Sequence, residues 1–85
     1  MNSRLNDLFE KAVQRVSVTK EDIAPDNLLR LYAYYKQATR GDSFSLNTED
    51  NIRSAFKFNA WIQLNGMTAD EAKQKYIELV NATLK

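Results

Sequence analysis

The chain has 85 residues, with 12 basic and 11 acidic side chains, two glycines, one proline, and neither cysteine nor histidine. A chain this short builds one hydrophobic core, so we expect a single domain over residues 1–85. Without cysteine the chain forms no disulfide, and without cysteine or histidine a zinc site is very unfavourable. Catalysis by a Cys–His pair or a Ser–His–Asp triad is excluded for the same reason. A net charge of +1 argues against a nucleic-acid ligand.

The hydrophobic segments of the chain are short. A bilayer-spanning helix needs about 20 apolar residues, and the longest apolar runs here are only a few residues long. The N-terminal segment, MNSRLNDLFEKA, is polar and lacks the apolar core of an export signal. We therefore expect a cytoplasmic protein without stable membrane insertion.

The first half of the chain carries the pattern of two helices. Pro25 suits the first turn of the second one, Asp22 and Asp26 place negative charge near its N-terminus, and this helix is predicted from about Pro25 to Thr39. Gly41 is expected to end it. The apolar residues of the first helix recur at i, i+3 and i+4 and are Leu5, Leu8, Phe9, Ala12, Val13 and Val16.

The second half predicts two more helices after a Ser- and Asn-rich loop over residues 42–48. The third helix is expected to begin near Thr48–Asn51 and to stop at Asn65–Gly66, and Thr68 with Glu71 forms a capping-box pattern for the fourth. Their apolar residues are Ile52, Ala55, Phe56, Ala60, Trp61 and Leu64, followed by Ala72, Tyr76, Leu79, Val80 and Leu84. The pattern predicts an all-α fold.

The second helix carries the most informative polar residues. Tyr32, Tyr35 and Lys36 stand at i, i+3 and i+4, so we expect two phenols and an ammonium on one helix face. Such a cluster suits a phosphate, because an ammonium has three donors and phenols add further hydrogen bonds. The alternative, which spacing alone favours, is two amphipathic tyrosines at the edge of the core beside a solvated lysine.

Two residues on later helices also allow either a structural role or a ligand-binding role. Lys57, one turn before Trp61, is either an apolar stem covering the core or a second cation for the same anion. Tyr76 lies on the apolar stripe of the fourth helix and is either buried or stacks on a base.

The acidic residues do not indicate an acid–base catalytic site. They occur in local pairs near predicted helix N-termini, where carboxylates stabilise the helix dipole. The pairs are Asp7 and Glu10, Glu21 and Asp22, Glu49 and Asp50, and Asp70 and Glu71.

Several segments together resemble one protein family. Residues 34–42, YYKQATRGD, are similar to the YKQAT-x-GD signature of acyl-CoA-binding proteins, and residues 57–61, KFNAW, resemble the family's K-W/F-x-A-W stretch. Further matches are Gly66, Thr68, Ala72, Tyr76 and Ile77 near the end, and Phe9, Lys11 and Ala12 near the start. Because these motifs follow in the family's order and spacing, the chain is identified as a member of it.

The resemblance implies a four-helix acyl-CoA-binding-protein-like bundle that binds a ligand and catalyses no reaction. The ligand would be a medium- to long-chain acyl-CoA ester, carried rather than used as a cofactor, for intracellular buffering and transport. By position, Lys36 and Lys57 would bind the phosphates, chiefly the ribose 3′-phosphate, and Tyr32 would add a hydrogen bond. Tyr35 would line the head-group site beside them, and Tyr76 would contact the adenine and ribose.

The resemblance also implies an apolar groove for the acyl chain. Its expected residues are Leu28, Leu29 and Leu31 of the second helix and Ala12 and Val13 of the first. The protein would act as a monomer that supplies acyl-CoA-using enzymes. The competing hypothesis from the residues is a helical protein–protein interaction domain that docks through its tyrosine face.

Three departures from the family pattern bear on the site. Many members have a basic residue where Ser17 stands, so one phosphate contact is lost here or is supplied by Arg15 or Lys20. The loop after Gly41 lacks the proline and glycine common in the family, and Phe58 stands where tryptophan is frequent.

Overall fold

The computed structural model describes residues 3–43 and 52–84. In these residues the chain forms four helices and no strand. They are α1 (Ser3–Val18), α2 (Pro25–Arg40), α3 (Ile52–Ile62) and α4 (Ala69–Thr83). The predicted all-α fold is confirmed, whereas the predicted start of the third helix near residues 48–51 and most of the loop before it lie outside the described residues.

The helix ends follow the local chemistry of the sequence. Pro25 opens α2, and after Arg40 the chain turns at Gly41, where φ is 59° and a side chain would be strained. At α4 the Thr68 hydroxyl accepts a hydrogen bond from the Glu71 N–H at 3.1 Å, and the Glu71 carboxylate accepts one from the Thr68 N–H at 3.3 Å. The predicted capping box is therefore confirmed.

The acidic pairs follow the dipole argument only in part. Asp70 and Glu71 occupy the first turn of α4, as predicted. The first turn of α1 contains no acidic residue, and Asp7 and Glu10 lie farther along that helix. Dipole stabilisation therefore does not account for this pair.

The core is formed where α4 packs against both α1 and α2, while α2 also packs against α3. Among the described helices α1 packs mainly against α4, so only a narrow face of α1 is buried. Leu8, which belongs to the predicted apolar stripe of this helix, is therefore 41% exposed. Phe56 of the third stripe is likewise 58% exposed. The buried cluster consists of Phe9, Ala12, Leu31, Ala38, Ala72, Tyr76, Val80 and Leu84. In the described part of the chain no helix is both long and apolar enough to cross a bilayer.

A buried amide joins the ends of three helices. Gln37 of α2 is 0% exposed, and its Nε2 donates to Asp42 Oδ1 at 2.7 Å and to the Met67 carbonyl at 2.8 Å. Its Oε1 accepts from Trp61 Nε1 of α3 at 3.1 Å. Asp42 Oδ1 also accepts from the Gly66 N–H at 3.1 Å. We call Gln37, Asp42, Trp61, Gly66 and Met67 the Gln37 network.

The network also acts on the charge of Asp42. The hydrogen bond from the Gln37 side chain and the one from the Gly66 backbone hold the pKa of Asp42 below its usual value. The carboxylate is therefore ionised at neutral pH, which keeps it an acceptor for both donors.

We predict that Gln37→Ala lowers the free energy of unfolding by about 2–4 kcal/mol, because it removes the three hydrogen bonds of a buried amide and leaves a cavity. Urea denaturation measures the change. Gln74→Ala, at an exposed position of α4, is the matched control and should change stability by no more than about 0.5 kcal/mol. Equal effects of the two substitutions would contradict the role given to the network.

Candidate functional site

Two ammonium groups from different helices converge on one aromatic ring. Lys36 Nζ of α2 lies 5.7 Å from the centre of the Tyr32 ring, and Lys57 Nζ of α3 lies 5.2 Å from the same centre. Lys36 Nζ is also 5.5 Å from the ring centre of Trp61. These are cation–π distances. We call Tyr32, Lys36 and Lys57 the cation cluster.

The electrostatics of the cation cluster favour an anion. Burial, and then the positive charge of Arg40, lowers the pKa of Lys36. Within residues 3–43 and 52–84 neither Lys36 nor Lys57 forms an ion pair with a carboxylate. Each ammonium near the Tyr32 ring has N–H donors, and an oxyanion with several acceptor atoms could accept hydrogen bonds from both.

A second group of aromatic rings lies on the side of α2 that faces α1 and α4. The Phe9 ring centre is 6.0 Å from that of Tyr35 and 5.1 Å from that of Tyr76, and the two tyrosines are 6.5 Å apart. Tyr76 is only 4% exposed, whereas Tyr35 is 41% exposed. Tyr32 and Lys36 are adjacent as expected, but Tyr35 points toward α1 and α4, because residues of a helix project about 100° apart in succession.

The exposed side of these rings opens into a cleft of about 490 Å³ between α1, α2 and α4, which we call the aromatic cleft. Its lining combines aromatic and aliphatic walls with polar and charged groups. The lining residues are Asn6, Phe9, Glu10, Val13, Tyr35, Ala38, Thr39 and Lys73.

A second cleft, of about 470 Å³, lies between the start of α2 and α3, and we call it the apolar cleft. It is lined by Pro25, Leu28, Leu29, Phe56 and Lys57. Because Lys57 belongs both to this cleft and to the cation cluster, the two sites are continuous. Leu29 and Lys36 are seven residues apart on α2, which corresponds to about 10 Å along the helix.

The predicted acyl-groove residues do not share one groove. Leu28 and Leu29 line the apolar cleft, and Val13 lines the aromatic cleft. Ala12 and Leu31 are each 4% exposed and belong to the core. Val13 of α1 and the two leucines of α2 therefore line different clefts.

Comparisons with known proteins identify the family of this chain. A model of the family described as "Acyl CoA binding protein" matches residues 6–80. The acyl-CoA-binding protein of Dictyostelium discoideum is 39% identical over 72 residues, which cover 84% of this chain and 86% of that protein. The acyl-CoA-binding protein of Saccharomyces cerevisiae is 36% identical over 78 residues, covering 91% of this chain and 90% of the relative. The chain belongs to the acyl-CoA-binding protein family.

The likeness extends to three dimensions. The crystal structure of acyl-CoA-binding protein 2 from Oryza sativa superposes with a TM-score of 0.83 at 30% sequence identity, covering 94% of this chain and 90% of that one. The resemblance found in the sequence and the four-helix fold that it implied are confirmed.

The residues of the family's signature motif have two different roles in this chain, since some support the fold and others line the candidate site. Gln37 and Asp42 belong to the Gln37 network, and Gly41 supplies the backbone turn. Lys36 lies in the cation cluster, whereas Thr39 lines the aromatic cleft. The motif therefore specifies both the support of the site and part of its surface.

Some cleft residues were not singled out from the sequence. Phe9 and Thr39 lie inside segments that match the family motifs, so their positions could have indicated a role. Asn6 and Lys73 lie outside those motifs, and the apolar spacing of the third helix predicts Phe56 as a core residue. Nothing in helical spacing distinguishes these three from ordinary surface or core positions.

The structure also shows where the residues around Ser17 point. The Ser17 hydroxyl donates to the Val13 carbonyl at 3.1 Å. The Arg15 guanidinium donates to Asn81 Oδ1 at 2.8 Å and to the Leu84 carbonyl at 3.1 Å, which directs it to the end of α4. Neither Arg15 nor Lys20 lines the aromatic or the apolar cleft.

We predict a measurable effect of Tyr76 at alkaline pH. Burial, and then the neighbouring Tyr35, raises the pKa of Tyr76 to about 12. In the unfolded chain this phenol ionises near pH 10, so the stability that depends on its neutral form is lost as the pH rises from about 10 to 12.

Between pH 8 and pH 11, wild type should therefore lose about 1 kcal/mol more unfolding free energy than Tyr76→Phe, which has no phenol to ionise. Urea denaturation at the two pH values measures this difference. An identical pH dependence in the two proteins would show that the Tyr76 hydroxyl is not desolvated in the fold.

Proposed function

We propose that the chain binds acyl-CoA esters and buffers and transports them, without catalysing a reaction on them. The observation that carries the proposal is that α2 contributes to an aromatic cleft, a cation cluster and an apolar cleft, and that the last two share Lys57. These three environments match the three chemical parts of the ligand, which are an aromatic base, phosphates and a hydrocarbon chain. The names of the relatives from Dictyostelium and Saccharomyces support the same ligand.

The ribose 3′-phosphate binds at the cation cluster in this proposal. Lys36 and Lys57 approach one ring from two helices and have no carboxylate partner among the described residues. An oxyanion between them, chiefly the ribose 3′-phosphate, would accept charge-assisted hydrogen bonds worth about 1.5–3 kcal/mol each. Tyr32, half-buried between the two cations, adds a hydroxyl donor.

The adenine and ribose occupy the aromatic cleft. Tyr35 and Phe9 supply ring surfaces at its wall, and stacking of a base on an aromatic side chain contributes about 1–3 kcal/mol. Tyr76 packs beneath both rings, so its main effect is to hold them, with contact to the ligand limited by its 4% exposure.

The acyl chain lies in the apolar cleft, against Leu28 and Leu29 of α2 and Phe56 of α3. The exposed fractions of Leu28 and Phe56, 48% and 58%, leave apolar surface that a hydrocarbon chain can cover. Ala12 and Leu31 are already covered by the core, so this proposal replaces them with Pro25 and Phe56 as chain contacts.

In this proposal the side chains of the site bind the ligand and do not react with it. The chemistry at the cation cluster is that of hydrogen-bond donors, and the clefts supply apolar contact. In the proposed role the protein is a cytoplasmic monomer that delivers its ligand to acyl-CoA-using enzymes.

We predict that Lys36→Ala and Lys57→Ala each weaken palmitoyl-CoA binding by tenfold or more, corresponding to about 1.4 kcal/mol. Titration calorimetry measures the affinity, and circular dichroism checks the fold. Lys75→Ala is the matched control, because Lys75 is exposed on α4 with Glu78 as its partner at 4.0 Å and lines neither the aromatic nor the apolar cleft.

Wild-type protein that binds no palmitoyl-CoA would refute the proposed function. It would favour the competing hypothesis, in which the exposed surface of Tyr35 and its neighbours docks another protein. Equal affinities of Lys36→Ala, Lys57→Ala and wild type would instead refute the phosphate site alone.

We also predict that affinity rises with acyl length until the apolar cleft is filled. Each methylene that becomes buried contributes about 0.8 kcal/mol, or roughly a fourfold gain in affinity. A calorimetric series from free CoA to palmitoyl-CoA tests this, and equal affinity for the two would rule out an acyl site.

Two serine variants locate the acyl site. Leu28→Ser should weaken palmitoyl-CoA binding while leaving the affinity for free CoA unchanged. Val18→Ser is the matched control, since Val18 is 69% exposed at the end of α1 and lines neither cleft.

A further inference from the structure

Lys73 of α4 brings a positive charge into the aromatic cleft. It stands one turn before Tyr76, is half-buried, and lines the cleft together with Tyr35 and Thr39. Its Nζ donates to Asn6 Oδ1 of α1 at 2.6 Å. We infer that the Lys73 ammonium is a further ligand-binding group, which donates a hydrogen bond to a phosphate of the CoA head group. This inference rests on the function proposed above.

The hydrogen bond to the neutral Asn6 amide orients the Lys73 side chain and does not neutralise its positive charge. An ammonium has three N–H donors, and the amide oxygen of Asn6 uses one of them. In the part of the chain that the structure describes, Lys73 forms no ion pair, although Glu10 lines the same cleft. The full charge and two donors are therefore available to an anionic ligand.

The Glu10 carboxylate affects how much Lys73 contributes to the affinity for an anionic ligand. Lys73 and Glu10 are the two charged residues of the cleft lining, so their charges cancel. Without Lys73, the Glu10 carboxylate would remain as an uncompensated negative charge beside a ligand that is itself negative. Lys73 can therefore act in two separable ways, through a direct bond to phosphate and through compensation of Glu10.

Ser17 and Arg15 of α1 do not supply a positive charge to the aromatic cleft. Ser17 has no charge and donates to the Val13 carbonyl, and Arg15 is bound to Asn81 and Leu84 at the far end of α4. The α1 residues that line the aromatic cleft include no cation, and Lys73 of α4 supplies one beside Asn6.

The first test compares Lys73→Gln with wild type by calorimetry with palmitoyl-CoA at low salt. We expect a five- to tenfold loss of affinity, in the range of a charge-assisted hydrogen bond. Lys75→Gln is the matched control, two residues away on the same helix and outside the cleft, and should bind like wild type. Lys73→Gln with wild-type affinity would overturn the inference.

A double variant separates the direct bond from charge compensation. If Lys73 binds phosphate, adding Lys73→Gln to Glu10→Gln should still weaken binding at least threefold relative to Glu10→Gln alone. If the double variant binds as tightly as Glu10→Gln, Lys73 only compensates Glu10 and the inference is wrong. Failure of wild type to bind palmitoyl-CoA would refute the proposed function, so the two failures are distinguishable.

Discussion

The hydrogen bonds of the buried Gln37 amide hold the functional face of this protein together. An amide removed from water needs both its donors and its acceptor satisfied, and here the partners come from α3, from the turn after α2 and from the turn before α4. Lys36 is the residue before Gln37, and Lys57 lies one turn before Trp61. The network therefore joins the parts of α2 and α3 that carry two cations, which have no carboxylate partner among the described residues. Their convergence on Tyr32 is a consequence of an interaction that lies outside the ligand site.

This arrangement explains why one short motif can serve both fold and ligand. Gln37 and Asp42 point to the interior and to the turn at Gly66, while Lys36 points to the solvent side of α2. Neighbouring residues of a helix project about 100° apart, so a single segment reaches the core, the cation cluster and the aromatic cleft in succession. Loss of the network would displace the cations even though every ligand-contacting side chain remained.

Charge is distributed in the site according to the proposed ligand. The apolar cleft has Lys57 at its rim, the cation cluster is formed by Lys36 and Lys57 around one ring, and the aromatic cleft balances Lys73 against Glu10. The positive charges thus lie where phosphates would be, and the remainder of the surface suits uncharged parts of the ligand. In the proposed function a multiply charged head group would bind to a chain whose own net charge is only +1.

The sequence by itself determined the all-α fold, the Pro25 start of α2, the Thr68–Glu71 capping box and the family, because periodicity, these start signals and the signature motif are all local in the chain. It did not determine the end of α3, which was predicted at Asn65–Gly66 and lies at Ile62. What only the tertiary structure decided is which side chains meet. Tyr35 joins Phe9 instead of Lys36, Ala12 and Leu31 enter the core instead of a groove, and Lys73 enters the aromatic cleft. Helical spacing gives the direction of a side chain relative to its own axis, whereas its surroundings depend on how α1, α2 and α4 pack.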